Sequence, residues 1–462
     1  MEGINFYWPL IVLLIGTISV VLLIVSFRIH AFFALIISAI LVGILGLPAI
    51  EGIDNAWVNA VENVMVELGK TAGSVSFVIA IAAVLGVALT ESGAAERIVD
   101  RLMRIFGEKY AGIALLLAGF ILSIPVFFDT VFFLLIPLAI ALATKLKKNF
   151  LFYVMTMGCG AAITHSLVPP TPGPLVMADI LSLNLAVSII AGMLAGFLPA
   201  IVGYQYAKRL NVKMLISPPD FVKAENGGQP KELPSFGVSI MPILLPLLLI
   251  ILGALLNVWY TDIEEKPLLP EAIEFLGNKN IAMLLGLVVA LWLWAKQKGL
   301  SMKALGEDMQ RPLELAGLII LITSAGGAFG AMIRATGIGD MINELSANGF
   351  SINLVIVAWL MAAIIKFAQG SSTVAVITTA SIMAAILQSA GSLPFHPVYI
   401  YLAIGFGSMA FSWMNDSGFW IVVKLSGLKE KQGIRAWTIM LFFVSLAGFL
   451  QTLLLSYILP FN

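Results

Sequence analysis

The chain has 462 residues, 60% of them hydrophobic and only 11% charged, with a mean hydropathy of +1.02. A soluble domain carries about a quarter of its residues as charges, so this composition excludes one and indicates a chain that folds in lipid. The 26 basic and 26 acidic side chains cancel, which removes any global attraction to nucleic acid. One cysteine (Cys159) and three histidines leave no material for an internal disulfide or a histidine-rich metal cluster.

A bilayer core takes roughly 20 apolar residues per helix, and about ten such runs follow one another. The opening stretch MEGINFYWPL lacks a basic segment and a small-residue cleavage pattern, so it is expected to belong to a retained first span over 7–26. Spans are expected next at 30–49 and 73–92. The apolar stretch from about 110 to 145 begins and ends beside basic residues, which a simple span cannot do, and is therefore expected to be a re-entrant hairpin. Spans at 150–174 and 185–206 complete a first half, residues 1–206. The polar, Pro- and Gly-rich segment 207–237 reads as a cytoplasmic linker. The second half, 238–462, repeats the plan with spans at 238–260, 280–296 and 314–335, a hairpin at about 350–390, and spans at 397–424 and 436–458. Lys and Arg cluster after the first span, at 97–109, 145–148, 208–231, 296–311 and 424–435. These segments belong on the cytoplasmic side, whereas the segments around Glu51–Glu62 and Ala335–Gly349 and both termini belong outside.

Five spans per half make the second half enter the membrane with the opposite sense, which defines an inverted repeat. Gly86, Gly93 and Ile98 recur as Gly330, Gly337 and Ile342, each 244 residues later. Nearly the same offset relates Asp129–Val131 to Ser372–Val374 and Ser166 to Ser412. The fold class expected is an all-α polytopic membrane protein of about ten spans and two re-entrant hairpins.

Backbone that leaves the helix inside a membrane must be satisfied by protein, water or ligand, so breaks in apolar spans mark candidate sites. There are four, at matched positions in the halves: SIPVFFDTVFF, THSLVPPTPGP, KFAQGSSTVAV and FSWMNDSGFW. In the first, Pro125 breaks the helix and sets Asp129 and Thr130 among four phenylalanines, the setting of a proton-coupling acid or, more simply, of a helix cap. The third offers Gln369, Gly370, Ser371, Ser372 and Thr373, whose hydroxyl, amide and free N–H groups suit a hydroxylated carboxylate, or else let helices pack closely. Lys366 must pair with a carboxylate, from a substrate or a side chain, or reach to the outer surface. In the second, His165 is a proton relay or an interhelical hydrogen-bonder. Ser166, Pro170, Thr171 and Gly173 follow where the prolines free carbonyl groups. In the fourth, Asn415, Asp416 and Ser417 lie deep in a span, with Asp416 a second candidate for proton coupling. Glu91, Glu96, Arg334 and Asp340 lie near span ends and read as interfacial charges. An intramembrane aspartyl protease built on Asp129 and Asp416 lacks the expected Gly-x-Gly-Asp pattern, so no enzyme and no cofactor are expected. A passive channel is the other rival.

At PVFFD, HSLVPPTPGP, KFAQGSSTVA and FSWMNDSGFW, together with ESGAAERI, the sequence resembles the gluconate permease family of proton symporters (GntP) in the ion transporter superfamily, over nearly its whole length. The resemblance implies uptake of gluconate or a related small sugar acid across the bacterial inner membrane, coupled to protons, by a homodimer whose transport part moves as an elevator. The chain departs from the family pattern at Thr171 and Trp413, where histidines are expected, and at Lys366, where arginine is expected. These departures bear on which acid fits, with glycerate and D-serine as further substrates. Sodium is the alternative coupling ion, because hydroxyls and broken-helix carbonyls also coordinate it. Substrate is expected between the two hairpin tips and the two broken spans, with the proton on Asp129 or Asp416.

Overall fold

The computed structural model describes residues 2–46, 55–219, 232–259, 268–338, 341, 353–389 and 393–461. These residues form helices and no strand. Helices α1 (Glu2–Val25) and α2 (Ala31–Gly46) are followed by α3 (Ala56–Glu91). That helix starts well before the expected residue 73. Asn55 caps it by accepting the Val58 N–H at 3.2 Å. Ala60 and Val64, one turn apart, are buried while Glu62 and Lys70 are exposed, so the acidic stretch read as an outer loop is an amphipathic first part of the helix. Residues 51–54 of that stretch lie outside the described residues.

Helix α4 (Ala94–Phe106) is amphipathic and meets the following helical segment at 107°. Its Arg97 donates to the carbonyl oxygens of Pro234 at 2.6 Å and Leu233 at 2.9 Å, tying it to the end of the segment that precedes the second half. The first expected hairpin is a helix–break–helix unit, α5 (Ala111–Leu122) and α6 (Phe128–Leu146). The span expected at 150–174 is split into α7 (Phe150–Leu167) and α8 (Pro172–Ile180). Here Pro169 and Pro170 remove two backbone donors and Pro172 opens the new helix. Helices α9 (Leu185–Ala195) and α10 (Phe197–Lys213) end the first half, so the helix runs into the segment read as a linker.

In the second half α11 (Phe236–Trp259), α12 (Leu268–Gly277), α13 (Lys279–Lys298), α14 (Met302–Asp308) and α15 (Gln310–Ala335) precede the second helix–break–helix unit. That unit is α16 (Leu354–Gln369) and α17 (Ser372–Ser389). The broken span α18 (Val398–Gly407) and α19 (Ser417–Leu425) follows. The last helix, α20 (Glu430–Ile458), contains a π-helical turn over Ile434–Thr438. Among the described residues nine helices are long and apolar enough to cross a bilayer. The expected spans at 30–49 and 397–424 are not among them, because α2 is short and α18–α19 is interrupted. Helix α6, expected as the second arm of a re-entrant hairpin, is among them.

The helices pack as two groups. One contains α1, α2, α3, α11, α13 and α15, and the other α5, α6, α7, α10, α16, α18 and α20, with α17 lying against α15. Every residue of α18 and nearly every residue of α7 is buried, so the two interrupted spans form the centre of the second group. The outer faces of α1, α11 and α20 expose Leu14, Ile18, Leu248, Leu252 and Leu454, the surface a lipid-solvated chain presents.

Candidate substrate site

The four interruptions converge on one cavity of about 560 Å³. The N-termini of α6, α17 and α19 all open onto it, through Phe128–Thr130, Ser371–Thr373 and Ser417–Gly418. The positive end of the helix dipole makes the N-termini of α6 and α17 favourable places for an anion, and at α19 the Asp416 carboxylate already takes that place. Leu315, Leu318 and Ile319 of α15 supply an apolar wall.

Lys366 is 1% exposed. Its Nζ donates to Asp416 Oδ2 at 2.8 Å and to the Gly370 carbonyl oxygen at 2.5 Å, so the cation points inward to an acidic side chain and not to the outer surface. Asp416 caps α19, with Oδ1 accepting the Gly418 N–H at 3.0 Å. Ser412 Oγ donates to Asp416 Oδ2 and accepts the Trp437 Nε1–H at 2.8 Å. Asp129 lies in the first turn of α6 but does not cap it: Phe127 is the N-cap residue and no side chain caps the helix. The Asp129 carboxyl forms no hydrogen bond or ion pair with a described residue.

Two further polar atoms on the wall are buried without partners, His165 Nδ1 and Gln369 Nε2. Buried polar atoms are nearly always satisfied, so unpaired ones around a cavity mark where a ligand or water binds. Other expected ligands are already engaged. Asn415 Nδ2 donates to the Phe367 carbonyl oxygen at 2.8 Å, and Ser372 Oγ to that of Ser408 at 2.9 Å. Trp413 Nε1 also reaches the Phe367 carbonyl oxygen, at 3.1 Å, and its ring stacks on Phe367 with centroids 5.0 Å apart.

Thr130, Ser166, Ser371, Thr373 and Ser417 line the cavity, while Pro170, Thr171 and Gly173 do not. Thr171 is buried with its hydroxyl turned back onto the Val168 carbonyl oxygen at 2.6 Å, Pro170 faces α11 around Pro242 and Pro246, and Gly173 packs on Thr373. The break that carries them therefore shapes the wall from behind. Ser412 and Trp437 complete the site without having been singled out as ligands. Only the recurrence of Ser166 as Ser412 carried a sequence signal, and Trp437 sits unmarked in an apolar span. Among the interfacial charges, Glu91 pairs with Lys298, and Asp340 lies outside the described residues. No group of three His, Cys, Asp or Glu side chains placed to hold a metal occurs among the described residues.

An all-helical chain with helix breaks around a polar, partly charged cavity inside an apolar exterior is a multi-pass membrane transporter in architecture, and solved structures agree. The Neisseria gonorrhoeae transporter MtrF superposes with a TM-score of 0.63 at 16% identity, over 96% of this chain and 97% of that one. The Alcanivorax borkumensis YdaH transporter does so with 0.64 at 15%, over 97% and 100%. The chain belongs to the GntP permease family: the family model matches residues 8–458. A permease of Haemophilus influenzae is 32% identical over 93% of this chain and 88% of its own length. The gluconate permease of Pseudomonas aeruginosa is 31% identical over 96% and 97%, and a high-affinity gluconate transporter of Escherichia coli 29% identical over 98% and 100%. These relatives are permeases and transporters, not enzymes.

Proposed function

We propose that this protein is a secondary active transporter that brings gluconate or a related small sugar acid into the cell together with protons. The observation that carries the reading is the cavity itself. The helix N-termini of α6 and α17 and Lys366 favour a carboxylate, while His165 Nδ1 and Gln369 Nε2 are unpaired partners for hydroxyl groups. Relatives whose names specify gluconate or L-idonate, both polyhydroxylated carboxylates, support that substrate class. Lys366 spends two of its three protons on Gly370 and Asp416, leaving one for substrate. Asp129 and Asp416 bring two carboxyl groups to the same cavity, and neutralising one by a proton offsets the charge of an incoming anion.

In this reading each inverted repeat contributes one re-entrant hairpin and one broken span, and the matched breaks of the two halves support it. The second group of helices is the part that moves, as an elevator, against the first. The protein works in the bacterial inner membrane as a homodimer with both termini outside, a reading that the family resemblance and the distribution of basic residues support.

The test is uptake of labelled gluconate into proteoliposomes under separately imposed proton and sodium gradients, with sugar acids, glycerate and D-serine as competitors. Accumulation driven by the proton gradient is expected. Accumulation driven by sodium alone would replace the coupling ion, and flux without accumulation would make the protein a passive pore.

A further inference from the structure

Hydrogen-bond direction around Asp416 is fixed by the chemistry of its partners. The Lys366 ammonium and the Gly418 N–H can only donate, at 2.8 Å to Oδ2 and 3.0 Å to Oδ1. A serine hydroxyl can do either, and here it faces both Trp437 and Asp416. An indole N–H only donates; it takes one Ser412 lone pair at 2.8 Å, and the serine proton is directed to Asp416 Oδ2 beside the Lys366 ammonium. Three donors thus converge on Asp416, and two of them, the ammonium and the Gly418 N–H, can only donate.

Trp437 is itself held firmly. It lies in the π-helical turn of α20, which shifts the register by one residue, a rotation of about 100° relative to an uninterrupted α-helix. Tyr206 donates to the Arg435 carbonyl oxygen at 2.6 Å on one side of the turn. On the other, Thr438 Oγ1 donates to the Ser412 carbonyl oxygen at 2.5 Å, and the indole ring packs on Phe128 with centroids 5.4 Å apart. Asp129 is the opposite case, lining the cavity with no hydrogen bond or ion pair to a described residue. The titratable groups that face the two acids across the cavity are His165 of α7 and Lys366 of α16, besides each other.

We propose that Trp437 is a positioning residue that, through Ser412, holds Asp416 in place as the counter-ion of Lys366, so that Asp129 carries the transported proton. The assignment rests on the proton-symport reading above and goes beyond it by giving the two acids different work. Asp416 and Lys366 form the floor of the anion site, and Trp437 sets their geometry.

The decisive experiment is infrared difference spectroscopy of the purified full-length protein in lipid as pH is stepped, with no substrate present. A protonated-carboxyl band is expected in the wild type, lost in Asp129→Asn and kept in Trp437→Phe and Ser412→Ala. In parallel, Trp437→Phe and Ser412→Ala are expected to raise the KM for gluconate about tenfold, the loss of one buried hydrogen bond, with the pH profile of uptake unchanged; Ser412→Thr, which keeps the hydroxyl, stays near wild type. A band that is missing in the wild type or survives in Asp129→Asn overturns the proposal, as does a Trp437→Phe protein whose pH profile moves while its KM does not. Absence of proton-driven gluconate uptake in the wild type counts against the symport reading, and the infrared result stands apart from it because it needs no substrate.

Discussion

A β-carbon on Gly370 would lie 2.1 Å from the backbone carbonyl oxygen of Asn415, so the turn between α16 and α17 and the break between α18 and α19 touch backbone to backbone. Gly370 also holds φ at +85°, where a side chain is strained. Phe367, three residues earlier, receives the Asn415 and Trp413 hydrogen bonds on its carbonyl oxygen, so the two segments are clamped together. Gly370→Ala is expected to combine about 1–2 kcal/mol of left-handed strain with about 1–3 kcal/mol of overpacking. Thermal melting in detergent and gluconate uptake check this. The melting temperature should fall, and uptake should drop at least tenfold in the protein that remains folded; a variant with normal uptake would mean that the two breaks need not touch during transport.

The breaks were legible because each carries its own cause. Pro125, Pro169 and Pro170, and Gly370 all stop a helix by local sterics that act wherever the chain goes. Thirteen of the sixteen expected site residues line the cavity for the same reason. Pairing was not legible. Lys366 and Asp416 lie fifty residues apart, and no periodicity within either helix indicates that the ammonium meets that carboxylate and not a substrate. Trp437 was hidden by a π-helical turn, which leaves no compositional mark but changes which face of the helix its indole occupies. The early start of α3 was missed because the segment around Glu51–Glu62 reads as an outer loop and charges continue up to Lys70. In the structure the pair Glu67–Lys70, at 2.5 Å, lies along one helix face with Val64 buried beneath.

The Lys366–Asp416 pair should behave as a buried ion pair. Lys366→Met or Asp416→Asn alone strands the partner away from water and is expected to cost about 3–5 kcal/mol. The double variant Lys366→Met/Asp416→Asn removes both charges and should be more stable than either single variant, although it will not bind substrate. Melting temperatures of the four proteins measure the coupling directly. Additive losses would show that the two side chains do not depend on each other.

Asp179 at the end of α8 and Lys279 at the start of α13 form an ion pair at 2.7 Å, joining the group of helices around the cavity to the group packed on α3. Both side chains are about a third exposed, so its stability contribution is small, about 0.2–1 kcal/mol and weaker in salt. Because it joins the two groups, its effect should appear in rate instead. Asp179→Asn is expected to change the initial uptake rate several-fold with little change in melting temperature, and the exchanged pair Asp179→Lys/Lys279→Asp should restore it. If the single variant transports at the wild-type rate at low and high salt alike, the pair does not restrain the transport cycle.

Helices α5 and α7 approach until only glycine fits between them. A β-carbon on Gly119 would sit 2.2 Å from the Met157 carbonyl oxygen, and one on Gly160 would sit 2.1 Å from that of Leu116. The close approach of small residues is how helices associate in a solvent that offers no hydrophobic drive between them. Cys159, next to Gly160, is fully buried with its sulfur against Gly203 of α10 and is the one cysteine in the chain, so its thiol reports on how tightly α7 is packed without engineering. In the wild type a maleimide is expected to leave Cys159 unmodified until the protein is unfolded, because a buried thiol has no route to the reagent. Gly160→Ala forces the two backbones apart against rigid partners, and a loss of about 1–3 kcal/mol or more is expected. It should therefore lower the melting temperature and make Cys159 reactive under native conditions. Labelling followed by intact-mass measurement separates the outcomes: a Gly160→Ala protein that melts as the wild type does and keeps Cys159 protected would place α5 and α7 further apart than the structure has them.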